Sequence, residues 1–476
     1  MARSSTSALG NPEFRVLTDS QIEAIHLSAL RVLHRIGLEI NNQEALDLLK
    51  EAGAEVSGTR ARIPGYLVEE AIQSAPKTVT LYTRDARPAM NLEGREFFFG
   101  AYGGADHFYD PENGSRRPTG LDDIAKLAIV CDYLPHIDWV MVAASGAPAD
   151  FHAALVNCRK PLYCPPHNLE DLSDIVEMCS IVAGGHEQLR KHPFYIRAIN
   201  SSTPLVYTGP AAQALLFLAE RGLPIIFNAA LLACGSGPAT PAGTLVLGIA
   251  ENLFGLVISQ LKRKGTPVIM GGVASIMDMA TGISSYGAPE LSLMMSAYAD
   301  VIHSYGIPVY GTAGCSDSKL PDEQAAIEAT FSILCGALSG ANLIHDVGVV
   351  DIGMTVSLEA FVMCNEIIAM TKRIVGGMPV TPETLAFDVI ERVGPGGHFL
   401  DDVHTLRHFR EHLHSKLIDR QRYDRWTAGG ALSMRERLRA KVRQILHEHK
   451  PDPLPEDIQG ELARIVRHAQ ERAARS

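Results

Sequence analysis

Cysteine pairs, a basic excess and long apolar runs are all missing from this chain. Its eight cysteines stand at 131, 158, 164, 179, 234, 315, 335 and 364 with no C-x-x-C among them. That points to buried free thiols in a reducing cytoplasm. Asp and Glu outnumber Lys and Arg by 54 to 43, a formal charge of −11, so no nucleic-acid partner is expected. The longest apolar run, Pro241–Leu261, is interrupted by Glu251, Asn252 and Gln260, so no membrane span is expected either. The polar residues 1–11 carry no apolar core of a secretory signal. The P-loop, the dinucleotide G-x-G-x-x-G in a βαβ setting and the G-x-S-x-G elbow are absent, which removes phosphate-handling and serine-hydrolase readings.

What the chain does have is a beat. Short apolar runs at Ile137–Val142, Pro161–Cys164, Phe194–Ile199, Pro224–Phe227, Pro267–Met270, Ile307–Tyr310 and Asn342–His345 are each followed by a helix-like stretch. A less regular run, Phe97–Tyr109, precedes them. The runs do not alternate with polar residues, as expected of strands buried on both faces of a parallel sheet. Eight strand–helix units predict an α/β fold of the (β/α)8 TIM-barrel class, with function at the strand C-termini. The expected layout is an N-terminal α+β cap over 1–96, the barrel over 97–376 and a helical C-terminal appendage over 377–476.

Local signals set the element ends. Thr18 with Gln21 predicts a capping box, and Gly37 a stop. Helices follow at Asn42–Ala52 and around Pro64–Ser74. Thr240-Pro241 opens a long helix whose last turn carries Lys262, Arg263 and Lys264. Residues 1–13 read as a leader. In the tail, Pro451, Pro453 and Pro455 precede a final helix to about Ala474.

The strand ends supply the candidate site: Tyr102, Asn200, Phe227, Asp278, Thr312, Cys315, Asp317 and His345. The loop Gly311–Lys319 is the richest, its small residues allowing a ligand near the backbone. It also reads as a turn into a helix capped by Ser316 or Ser318. Tyr102 and Phe227 are among the aromatics able to cage a quaternary ammonium. Cys315 is read as a structural thiol in the pocket wall. His404, His408 and His412, at i, i+4, i+8, have the spacing of a chelating face. No H-E-x-x-H is present, and Arg407 and Arg410 oppose a cation, so no metal is expected. No catalytic residue is assigned.

Several segments together resemble the trimethylamine methyltransferase family over nearly the whole length. They are Arg117-Pro-Thr119 with Asp123, Asn200-Ser-Ser-Thr-Pro204, Met277-Asp-Met279, Gly311–Lys319 and, most specifically, the tail. The tail carries Gly394-Pro-Gly-Gly-His-Phe-Leu400, His404-Thr-Leu406, His408-Phe-Arg410, Asp419-Arg420, Tyr423 and Trp426. The resemblance implies a barrel that moves a methyl group from an amine to the cobalt of a corrinoid borne by a partner protein, with no cofactor held by this chain. Founding members carry pyrrolysine in or beside the loop matching Gly314-Cys315-Ser316; every residue here is ordinary. The resemblance therefore points to the branch acting on quaternary amines, glycine betaine foremost. Such a nitrogen needs positioning and a water-poor site rather than acid, base or metal.

On that reading Asn200 and His345 hold the betaine carboxylate, while Asp278, Thr312 and Asp317 shape the pocket. Rival readings are another betaine or trimethylamine as donor, a non-catalytic betaine-binding barrel, and an aldolase-like lyase. The charged tail with Phe409, Leu413, Leu417, Tyr423 and Trp426 predicts a homo-oligomer.

Overall fold

The computed structural model describes residues 12–143 and 147–475; most of the leader expected at 1–13 lies outside the described residues. Eight parallel strands form the barrel: β1 (Phe98–Gly103), β2 (Trp139–Val142), β3 (Leu162–Tyr163), β4 (Tyr195–Asn200), β5 (Ile225–Ala233), β6 (Val268–Asp278), β7 (Val309–Thr312) and β8 (Leu343–Val347). Each pairs with the next, and β8 pairs with β1, so the sheet closes. The helices following them are α1 (Leu121–Tyr133), α2 (Pro148–Asn157), α3 (Leu169–Ala183), α4 (Gly209–Arg221), α5 (Pro241–Lys262), α6 (Pro289–Ser304), α7 (Glu323–Ser339) and α8 (Leu358–Val375). The chain is a (β/α)8 barrel, as the apolar runs predicted.

Two packed regions hold it together. Between strands and helices lies the larger core. α5 is the one helix among the described residues long and apolar enough to cross a membrane, and most of it is buried there. Inside the barrel Trp139, Met141, Tyr163, Ile196, Ile226 and Tyr310 meet. The hairpin of strands Val79–Tyr82 and Pro88–Leu92 adds Val79, Leu81, Met90 and Leu92 to this inner cluster. It enters from the end where the strands begin: Tyr82 N donates to Pro193 O ahead of β4, and Arg84 N to Arg159 O ahead of β3. Asn342, ahead of β8, donates to the carbonyls of Glu93, Gly94 and Glu96. The hairpin is thus a plug at the end opposite the C-terminal mouth.

The front helices start and stop as their capping residues predicted. Thr18 and Gln21 form the capping box of Asp19–Arg31, and Asn42 caps Gln43–Glu51. Gly37 ends the first helical stretch at φ +75°, a conformation that costs a residue bearing a Cβ far more than glycine. α7 departs from expectation, since its cap is Asp322 rather than Ser316 or Ser318. Ser316 instead donates to Glu328, and Ser318 to Asp322. The histidine face also fails. The helix Val403–His408 gives way to a 3-10 turn, and His412 is extended. The last two helices, Met434–Glu448 and Glu456–Ala473, return to the barrel. They bury Leu438, Val442, Ile445 and Leu462 and pair Arg439 with Glu359 and Arg472 with Asp171 and Asp174.

Gly100 of β1 sits opposite Trp139 of β2, and a Cβ there would overlap the indole. Gly100→Ala is expected to destabilise the barrel by about 1–3 kcal/mol through overpacking. Urea unfolding reads this as a lower midpoint; an unchanged midpoint would mean that the indole can move aside.

Candidate functional site

The mouth has two unlike sides because β8 is irregular. Its register against β1 shifts between Ile344 and Val347, and Asp346 adopts φ +75°. A bulge of this kind re-aims a side chain. In a regular strand Asp346 would face the helices. Here its carboxylate lies close enough to Tyr102, Tyr286 and Tyr310 to act on their phenols. Burial first, and Asp346 next, pushes the phenols of Tyr102 and Tyr286 above their ordinary range. Tyr310 shifts the same way through burial, then Tyr163 and Asp346. All three rings are held neutral, and neutral rings offer a negative face.

His345 completes this wall. Its ring stacks on Tyr310, with centroids 4.4 Å apart and planes 8° from parallel. Thr312 Oγ1 donates to Gly272 O at 3.2 Å and stands 2.8 Å from His345 Nε2. With its one proton so used, Thr312 accepts from Nε2–H. The Nδ1 atom is 2.5 Å from Asp346 Oδ1 but off the line that a hydrogen bond needs. Both nitrogens are turned to protein atoms, so His345 does not present an N–H to a carboxylate in the mouth. What it offers is a flat face.

Across the barrel lies an amide pair. In a ring of eight strands β4 stands opposite β8, and β5 opposite β1. Asn200 ends β4, and its Oδ1 accepts from Asn228 Nδ2 at 3.0 Å. That fixes the amide and leaves the N–H groups of Asn200 available. Asn200 is exposed, as is Ala230, another inward-facing position of β5, so this side of the mouth reaches water. The loop after Asn200 is pinned by Glu251 of α5, whose carboxylate accepts from Ser201 Oγ at 2.5 Å, Thr203 Oγ1 at 3.0 Å and Leu205 N at 2.8 Å.

The remaining expected residues play other parts. Phe227 is on the outer face of β5, between the inward Ile226 and Asn228; it packs where a Cβ on Gly255 would reach its ring, which removes it from the mouth. Asp278 closes the turn after β6, accepting from Ala280 N at 3.0 Å and Thr281 Oγ1 at 2.9 Å. Ala280 N holds its carboxyl below the usual range, and Thr281 adds to this. Asp317 accepts from Ser285 Oγ at 2.5 Å and Tyr286 N at 2.7 Å, hanging the returning strand Ile283–Ser285 and the Tyr286 ring at the site. Cys315 is fully buried, and burial pushes its thiol well up, which disfavours a thiolate nucleophile. Lys319 donates to Asp317 O instead of approaching it. Among the described residues no group of three or more His, Cys, Asp or Glu is arranged to hold a metal.

Glu251 yields a test. Burial raises its carboxyl above the ordinary value despite three donors. The folded state therefore holds that proton more tightly than the unfolded state. Its contribution is full below the unfolded pKa and is lost as pH rises through the folded one. Glu251→Gln carries no such charge. Its Tm relative to wild type should therefore rise between pH 4 and 7; a pH-independent difference would contradict the assignment.

Residues 3–473 match the profile of the trimethylamine methyltransferase (MTTB) family. A trimethylamine methyltransferase MttB of Desulfitobacterium hafniense is 35% identical over 466 residues, 95% of this chain and 94% of that relative. A glycine betaine methyltransferase of the same species is 34% identical over 466 residues, 96% and 97% of the two chains. Among solved structures, the monomethylamine methyltransferase MtmB of Methanosarcina barkeri has a TM-score of 0.49 at 12% identity, covering 94% of this chain and 99% of that one. The chain belongs to the trimethylamine methyltransferase family and is an enzyme of the methyltransferase class.

Proposed function

We propose that the enzyme takes a methyl group from a zwitterionic quaternary amine, glycine betaine foremost, and passes it to a corrinoid carried by a partner protein, releasing dimethylglycine. The observation that carries this reading is the inward-turned Asp346 among Tyr102, Tyr286, Tyr310 and His345. A trimethylammonium group has no N–H to donate, so it is recognised by ring faces and an anion, at about 0.5–2 kcal/mol per well-placed ring. The Asn200–Asn228 pair opposite supplies N–H donors for the carboxylate end. That second pole favours a betaine over trimethylamine, and the glycine betaine methyltransferase relative supports the same choice.

The corrinoid supplies a Co(I) nucleophile. The N–CH3 bond breaks with its electron pair staying on nitrogen, so a cation becomes a neutral tertiary amine without a proton moving. Asp346 therefore binds the substrate more tightly than the transition state, in which the positive charge is fading. The work of this chain is to fix the methyl group toward the open mouth and keep water from the ammonium. Solvent at Asn200 and Ala230 marks the side open to the partner. Eight free thiols suit a cytoplasmic enzyme.

Cob(I)alamin methylation tests this. Asp346→Asn should raise KM for glycine betaine roughly ten- to a hundredfold with a much smaller change in kcat. Asn200→Ala should raise KM for glycine betaine while leaving that for tetramethylammonium, which has no carboxylate, unchanged. Wild-type kinetics in both variants would overturn the two-pole reading. Cys315→Ala should still transfer methyl; a variant that binds betaine but is inactive would make the thiol a methyl carrier.

A further inference from the structure

Buried carboxylates elsewhere in this chain are met by donors. Asp123 accepts from Arg117 and from Gly120 N, Asp132 from Arg159 and His449, Asp300 from Val16 N and Leu17 N, and Glu359 from Arg439. Asp346 breaks the pattern. It is 2% exposed, and its Oδ1 lies 2.5 Å from His345 Nδ1 with neither atom hydrogen-bonded. His345 gives its Nε2–H to Thr312, so two acceptors face each other there. Tyr102, Tyr286 and Tyr310 feel Asp346 through its charge alone and donate no hydrogen bond to it. A buried acceptor without a donor is costly and calls for an explanation. Glycine betaine offsets the charge of Asp346 but has no N–H to give it.

We propose that Asp346 accepts the N–H of the tertiary ammonium formed after methyl transfer, so that dimethylglycine binds more tightly than glycine betaine and inhibits the enzyme as its product. The inference rests on the function proposed above. When the N–CH3 bond breaks, its electron pair stays on nitrogen. A trialkylamine is a strong base. That lone pair therefore takes a proton from water at the open side near Asn200 and forms an N–H bond; the hydroxide left behind is neutralised in bulk solvent. The guest is a cation again and now carries one donor. Its carboxylate is unchanged, so the Asn200 side holds it as before. Two effects then oppose each other. A charge-assisted N–H···O bond to Asp346 tightens binding roughly ten- to a hundredfold. The methyl group no longer held against the rings weakens it roughly fourfold. The hydrogen bond wins, and the product is favoured by about tenfold. Turnover falls as dimethylglycine accumulates, and a following reaction that consumes the tertiary amine restores it.

Calorimetry on the full chain near neutral pH compares the two ligands directly. Dimethylglycine should bind roughly tenfold more tightly than glycine betaine, and in cob(I)alamin methylation it should inhibit competitively against betaine. Asp346→Asn should weaken dimethylglycine more than betaine and so remove the preference. A second readout needs no variant. Dimethylglycine labelled with nitrogen-15 should show, when bound to the wild type, a slowly exchanging N–H proton shifted downfield from that of the free ligand. Betaine binding accompanied by equal or weaker dimethylglycine binding would overturn the proposal and leave the proposed function standing; His345 would then supply the missing proton itself. Failure of both ligands to bind would overturn that function, and this proposal with it. A preference for dimethylglycine that survives in Asp346→Asn would put the acceptor elsewhere and overturn the proposal as well.

Discussion

A carboxylate surrounded by phenol rings is an expensive object. Removing an ion from water costs several kcal/mol even after relaxation, and neutral rings turn a negative face toward it. Asp346 occupies that position, and among the described residues its ion-pair partner is His345 beside it. A cation with no hydrogen to donate offsets this cost while using the ring faces that the carboxylate cannot use. The bulge in β8, Tyr310 stacked on His345 and the hung Tyr286 all make sense around such a guest.

The rest of the scaffold serves the two sides of the mouth. The hairpin at 79–92 covers the far end of the barrel, so the inner cluster is a packed floor beneath the mouth. Glu251 reaches from α5 to fix the loop that follows Asn200. Asp317, itself held through its N–H by Glu328, fixes Tyr286. On the proposed reading, charged side chains one layer back from the ligand do the positioning. The same reading leaves the rings and amides to meet the guest.

How much of this could be read from sequence follows from which signals are local. The barrel was legible because strands covered on both faces lose polar alternation, so each apolar run fell on a strand: Pro161–Cys164 on Leu162–Tyr163, and Asn342–His345 on the start of β8. The same lack of alternation hides which residues face inward, and so Phe227 was expected in the mouth when its strand turns it toward α5. Asp346, a strand-end residue beside His345, was not chosen for the site for a related reason. Period-two reasoning aims it outward, and only the shifted register turns it back. Asp278 was legible as a strand-end acid, but not as the cap of its own turn. His345 was expected to offer an N–H to the ligand, yet its Nε2 is taken by Thr312 and its Nδ1 faces Asp346, a tertiary fact with no sequence signature.

The central claim is that the site recognises a fixed positive charge through Asp346 and the rings, beyond mere shape. The direct measurement is calorimetric binding of glycine betaine and of 3,3-dimethylbutanoate, its neutral-headed isostere with carbon in place of nitrogen. Both carry the same carboxylate, so the Asn200 side treats them alike. The account predicts that wild type binds betaine at least roughly tenfold more tightly, and that Asp346→Asn removes most of this preference by weakening betaine alone. Equal affinity of the wild type for the two ligands would contradict it.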